Sequence, residues 1–157
     1  MAEKPDSSAA RLVEEYGSAL FALCLVMLKN VPDAEDALQD ALLRYMERAP
    51  AFDTREAERA WLFKVAANRC RDRLREARRR PTVTLEELAG LGAESGDRQL
   101  LAALMSLPEK PREAMLLHYV EGYDVRETAK LLSLTPSCVK MRLKKGRELL
   151  RKEISDG

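Results

Sequence analysis

The sequence is short of the residues from which enzymes, secreted scaffolds and membrane proteins are usually built. It has one histidine, His118, and three cysteines, Cys24, Cys70 and Cys138. The cysteines are odd in number, far apart and without a CxxC pair or a neighbouring histidine, which excludes an ordinary zinc site or disulfide framework. Cys24 and Cys70 fall on apolar helix faces and read as small core residues. His118 has no partner motif and reads as a helix-packing residue. A glycine-rich phosphate loop, G-x-S-x-G and H-E-x-x-H are all missing. No catalytic residue, metal or cofactor is expected. The longest apolar run, Ala19–Leu28, is too short to span a bilayer. The opening MAEKPDSSAA lacks the apolar core of a signal peptide. A cytoplasmic location without membrane insertion is the expectation. Alternation of period two is absent throughout, so strands are not expected and the fold class is all-α.

The net charge is only +1 over 157 residues, but acidic and basic blocks alternate along the chain. The most informative stretch is Val120–Lys152, VEGYDVRETAKLLSLTPSCVKMRLKKGRELLRK. Gly122 permits a helix stop. Asp124 can then cap a new helix, with Glu127 three residues on completing a capping box. Val125, Thr128, Ala129 and Leu132 keep helical spacing. After a break at Ser133-Leu134, Thr135 caps a second helix and Pro136 takes its first position, where a missing N–H costs nothing. Val139, Leu143, Gly146 and Leu150 face inward, leaving Lys140, Met141, Lys144, Lys145 and Arg147 outside. Two helices, a tight turn and a basic second helix spell a helix-turn-helix. Cys138–Lys152 carries seven cations against one acid, a charge suited to a phosphate backbone.

The N-terminal half reads as three helices. Residues 8–29 carry a stripe at Leu12, Val13, Tyr16, Leu20, Leu23, Cys24, Met27 and Leu28. After Asn30-Val-Pro32, Asp33 is expected to cap a second helix with Leu38, Ala41, Leu42, Tyr45 and Met46 inward. Asp33–Glu47 holds five acids and one arginine. Its acidic outer face suits a basic protein surface or simple hydration, and charge alone does not separate the two. Ala49–Glu58 is a turn-rich connection. A long helix from about Ala57 to Arg80 follows, with Trp61, Leu62, Val65, Ala66, Arg69, Cys70 and Leu74 inward. Lys64, Asn68, Arg71, Arg75 and Arg78 form one polar, basic stripe. Arg69–Arg80 has seven arginines against two acids, a second nucleic-acid face.

Pro81–Gly96 holds three glycines, one proline and acids without a cation, and reads as a flexible linker. Residues 1–80 and 97–157 are then two small helical domains, each with a thin core. In the second, Leu100, Leu101, Leu104 and Leu107 form one helix closed by Pro108. Pro111 opens another with Ala114, Met115, Leu117, Tyr119 and Val120 mostly inward. The helix-turn-helix completes a four-helix domain. Such a domain alone also fits an autonomous DNA-binding regulator. The acidic helix and arginine stripe of the first domain, in place of a ligand pocket, argue against that alternative. A pure interaction module would leave both basic faces unexplained.

DAEDALQDALLRYM followed by WLFKVAANRCRDRLR resembles the promoter-melting domain of sigma factors, and LMSLPEKPREAMLLHYVEGYDVRETAKLLSLTPSCVKMRLKKGRELL resembles their C-terminal domain. Both in this order, with a short linker and no middle domain, look like the extracytoplasmic-function (ECF) group of bacterial sigma factors. The resemblance implies several roles. Asp33, Asp36, Gln39 and Asp40 would dock on core RNA polymerase. The loop Phe52, Asp53, Thr54, Arg55 and Glu56 would capture a flipped base of the −10 element. Trp61, Lys64, Asn68, Arg71 and Arg75 would meet the melted strand and duplex edge. Ser137, Lys140, Met141, Lys144 and Lys145 would read the −35 element, with Arg142 and Arg147 on its backbone. Promoter DNA, double-stranded at −35 and single-stranded at −10, core polymerase and an anti-sigma protein are the implied partners. Ser133 stands at a turn position where the family usually has glycine.

Overall fold

The computed structural model describes residues 5–48, 51–76 and 95–156, with side chains over 9–48, 51–76 and 99–152. The chain divides into two compact units, Met1–Arg79 and Arg80–Gly157. Among the described residues every regular element is helical. The linker expected over 81–96 and the stripe residue Arg78 lie outside the described residues, save for the two residues that open the fourth helix.

In the first unit α1 (Pro5–Leu28), α2 (Val31–Arg48) and α3 (Arg55–Glu76) each pack against the other two. The apolar run that is too short for a membrane forms the middle of the core: Leu23 to Leu28 are all buried, so the end of α1 is covered on every side. α2 contributes only small residues to this core, Ala34, Ala37 and Ala41, at i, i+3 and i+7. Alanine on that stripe lets the α2 backbone lie close to α1 and α3. Leu38, Leu42, Tyr45 and Met46 are half-buried rather than central, and Val13 is 51% exposed.

Two helix starts differ from the sequence expectation. Lys29 (φ 54°) ends α1 in the left-handed region. Asn30, not Asp33, caps α2, its Oδ1 accepting from Asp33 N at 2.9 Å. Asp33 becomes a third-position acid near the helix N-terminus, where the dipole favours it. Thr54 Oγ1 accepts from Ala57 N at 3.0 Å, so α3 begins two residues earlier than the periodicity suggests.

The second unit runs α4 (Ser95–Met105), α5 (Glu109–Met115), a π-helical turn (Leu116–Val120), α6 (Val125–Leu132) and α7 (Pro136–Asp156). Leu101, Leu104, Leu107, Ala114 to Leu117, Leu132, Val139 and Leu143 form its core. Leu100, expected on the same stripe, is at the surface. A Cβ at Gly146 would sit 2.7 Å from Met115 Cγ, so glycine is what lets α7 lie this close to α5. The π turn closes with Glu121 N donating to Leu116 O at 3.0 Å. It carries Tyr119 and Val120 off the buried stripe, leaving them 50% and 37% exposed, against the expectation that both face inward. His118 packs as expected, its Nδ1 2.7 Å from Tyr123 O.

Candidate nucleic-acid interface

The helix-turn-helix assembles from local bonds. Glu127 N donates to Asp124 Oδ1 at 2.8 Å and Asp124 N to Glu127 Oε1 at 2.9 Å, closing the capping box. α6 ends with Ser133 at φ 57°. Leu134 N reaches Ala129 O at 2.8 Å and Ser133 N reaches Lys130 O at 3.3 Å, the paired closure of a Schellman turn. Thr135 Oγ1 then accepts from Cys138 N at 3.1 Å to start α7 at Pro136.

This closure presents α7 with Val139, Leu143 and Gly146 buried. Ser137, Lys140, Met141, Lys144, Lys145 and Arg147 are exposed, Met141 most of all at 72%. Lys140, Lys144 and Lys145 enter no ion pair with any described residue. The face is three open ammonium groups around one thioether, which suits phosphate oxygens and an apolar base edge. Two of the expected contact residues sit differently. Arg142 is turned back, its side chain 19% exposed and its Nη1 3.7 Å from buried Glu113. Arg147 donates to the Tyr119 hydroxyl at 3.0 Å, so the residue displaced by the π turn braces a cation of the open face.

The first unit treats its charges otherwise. The acids on α2 expected to form an outer face lie against arginines of α3. Arg73 pairs with Asp36 at 2.9 Å and Asp33 at 3.7 Å, and Arg69 with Asp40 at 3.3 Å. The fully open acidic stripe is thus corrected to a ladder of ion pairs. Arg69 belongs to it, half-buried against α2. Of the expected docking residues, Asp33 is buried, Asp40 half-buried, and Asp36 and Gln39 exposed.

On the other side of α3, Lys64, Asn68 and Arg75 are exposed and Arg71 is half-buried, as their stripe requires. Arg75 donates to Asp72 at 2.6 Å. Trp61, Val65 and Asn68 line an open groove of about 340 Å³ with Arg44 and Arg48 of α2 and with Arg69 and Asp72. An indole, an amide and arginines around one groove can stack a base and hold its phosphate. Arg44 and Arg48 were absent from the sequence-derived site. Their i, i+4 spacing is visible, but that they face Trp61 depends on how α2 packs on α3.

The loop before α3 is tied down as well. Phe52 stacks on Tyr45, with centroids 6.2 Å apart, and both meet Trp61, at 6.0 and 5.8 Å. Asp53 is exposed, Thr54 is used as a cap, and exposed Arg55 donates to Glu15 of α1. Beneath lies Glu58, also absent from the sequence-derived site. It is 6% exposed and accepts from Arg11, Tyr16 and Tyr45. The Arg11 guanidinium, helped by the two hydroxyls, holds the Glu58 carboxyl down at about 2 against desolvation. Burial and then the same carboxylate push the Tyr16 hydroxyl up to about 12.

Among the described residues no helix is long and apolar enough to cross a membrane, and no cluster of three or more metal-ligating side chains occurs. Residues 12–80 match the family described as Sigma-70 region 2, and residues 97–150 match Sigma-70, region 4. The ECF RNA polymerase sigma factor SigW of Bacillus subtilis is 30% identical, over 98% of this chain and 93% of its own length. SigM of Mycobacterium tuberculosis, also an ECF RNA polymerase sigma factor, is 31% identical over 89% of this chain and 74% of its own. Among solved structures, CnrH in complex with the cytosolic domain of CnrY superposes with a TM-score of 0.68 at 24% identity, covering 96% of this chain and 90% of that one. The sigma factor RpoE in complex with the anti-sigma factor NepR, from Bartonella quintana, gives 0.66 at 22%, covering 93% and 96%. These two likenesses speak to the fold.

Proposed function

The chain belongs to the ECF group of RNA polymerase sigma factors, and from that premise we propose how its two units share the work of promoter-specific initiation. The first unit docks on core RNA polymerase through α2, by exposed Asp36 and Gln39 and half-buried Asp40. It captures the opened −10 strand between the loop at Phe52–Arg55 and the groove at Trp61 and Asn68. The second unit seats α7 in the major groove of the −35 element, with Lys140, Met141, Lys144 and Lys145 toward the bases and Arg147 toward the backbone. The observation that carries the reading is the pairing of both sigma-70 regions, in order, with an unneutralised cationic face on the second helix of a helix-turn-helix. The factor acts in the cytoplasm and makes or breaks no covalent bond. Opening is driven by binding single-stranded −10 bases better than duplex, which shifts the population toward the melted state. An anti-sigma protein that covers one or both units is the regulatory partner this family membership suggests.

The test is co-elution of the chain with bacterial core RNA polymerase, followed by run-off transcription from a pool of promoters. Promoter-dependent transcripts, with co-elution lost on Asp36→Arg/Asp40→Arg, are the expected result. Failure to join core, with duplex binding retained, would instead mark an autonomous regulator.

A further inference from the structure

Glu58 is the buried acid at which all three helices of the first unit meet. Its two oxygens take four hydrogen bonds: from Arg11 at 3.1 and 2.8 Å, from the Tyr16 hydroxyl at 2.8 Å and from the Tyr45 hydroxyl at 2.6 Å. That fills the acceptor capacity of a carboxylate. The donors come from α1 and α2, and the carboxylate sits in the first turn of α3, four residues after Thr54. One of them, Tyr45, is also the ring on which the loop is built. It stacks on Phe52 at an interplanar angle of 29° and meets Trp61 nearly edge-on at 80°. Trp61 in turn lines the open groove. A tyrosine ring packed on both neighbours and bonded at its hydroxyl is restrained at both ends. Charge-assisted hydrogen bonds are the stronger class, so the anchor is firm.

We infer that Glu58 is a positioning residue for strand capture: it fixes the Tyr45 ring as the wall against which Phe52 and Trp61 are set, so that the loop is preshaped for an extruded base. This rests on the strand-capture role proposed above. The physical gain is preorganisation. A base leaving the stack loses its neighbours' contacts, and a wall already in place does not have to be ordered at the same moment. Arg11 and Tyr16 hold the carboxylate; Tyr45 transmits its position.

The two hydroxyls on one carboxylate make the inference testable, because only Tyr45 belongs to the ring cluster. Tyr45→Phe and Tyr16→Phe each remove one hydroxyl and keep the ring. Each is assembled with core polymerase and assayed for affinity to single-stranded −10 oligonucleotides carrying the preferred base or its alternatives. Tyr45→Phe is expected to lower affinity and base discrimination about fivefold, the size of one lost hydrogen bond. It should also increase iodide quenching of Trp61, the only tryptophan in the chain. Co-elution with core and −35 duplex affinity should stay within about twofold. Tyr16→Phe, which loosens the carboxylate but leaves the Tyr45 bond in place, is expected to lower thermal stability and to reduce base discrimination clearly less than Tyr45→Phe does. Glu58→Gln, which weakens all four bonds together and keeps the shape, should move discrimination in the same direction as Tyr45→Phe. Native discrimination in Tyr45→Phe or in Glu58→Gln overturns the inference, as does an equal loss in Tyr45→Phe and Tyr16→Phe, which would make Glu58 a fastener only. If the unsubstituted chain shows no −10 strand preference with core, the strand-capture reading itself fails.

Discussion

The two units carry comparable charge and spend it in opposite ways. In the first, acids of α2 meet arginines of α3 and Glu58 collects three donors, so much of the charge is neutralised within the fold. In the second, Arg142 is folded back on Glu113, while Lys140, Lys144 and Lys145 pair with no described residue. A helix that must lay its face against phosphate gains most when nothing competes for its cations. A surface proposed to meet both a protein and an opened strand can be poised instead, each charge held by a neighbour until a partner replaces it. Exposed pairs of this kind are worth little, typically below ~1 kcal/mol, so the exchange costs little.

The largest expected effect tests the buried end of this contrast. With Glu58 held at about 2 rather than 4.5, its contribution, on the order of 3 kcal/mol, is fully present above about pH 4.5 and is lost as pH falls toward 2. Acid titration followed by Trp61 fluorescence should show the first unit weakening over that window, and Glu58→Gln should flatten the profile. Next, Lys140→Ala/Lys144→Ala/Lys145→Ala should cut −35 duplex affinity about a hundredfold at low salt and reduce the salt slope by roughly three, while thermal stability stays within ~0.5 kcal/mol. A large loss of stability would mean these lysines are not as open as their geometry shows. Third, Gly146→Ala should destabilise the second unit by ~1–3 kcal/mol, since Met115 must move to admit the methyl group. Denaturant unfolding of the full chain checks it. Smallest, Asp36→Asn should change stability by less than ~1 kcal/mol, because Asp36 is exposed and Arg73 keeps its contact with Asp33. A cost of several kcal/mol there would turn the ladder from poised charge into core structure and break the comparison.

What could be read from the sequence follows the range of the interactions. The capping box at Asp124 and Glu127, the Thr135-Pro136 start and the inward positions Val139, Leu143 and Gly146 depend on residues three or four apart, and the structure has them as read, while Leu150 of the same set is only half-buried. Cys24 and Cys70 are buried for the same reason. Asn30 and Asp33 are both good caps within four positions, and only the backbone decides between them. The α2–α3 ladder joins residues 29 and 37 apart, and Glu58 reaches 47 residues back to Arg11. Charge patterns on single helices cannot show such pairings. Val13 looked apolar and inward by period, but the neighbours that would cover it do not reach that side.

The π turn at Leu116–Val120 has a consequence best stated as phase. An α-helix advances about 100° per residue. Widening one turn by a residue leaves the axis nearly unchanged but rotates everything after it relative to what came before. Ala114 and Met115 before the turn, and Leu116 and Leu117 at its start, face the core. Tyr119 and Val120 at its end have slipped a beat, and Tyr119 arrives beside Arg147. One extra residue acts here as an angular offset between two helices, and deleting it would retune the side of the domain that meets α7 without shortening the reach of the chain.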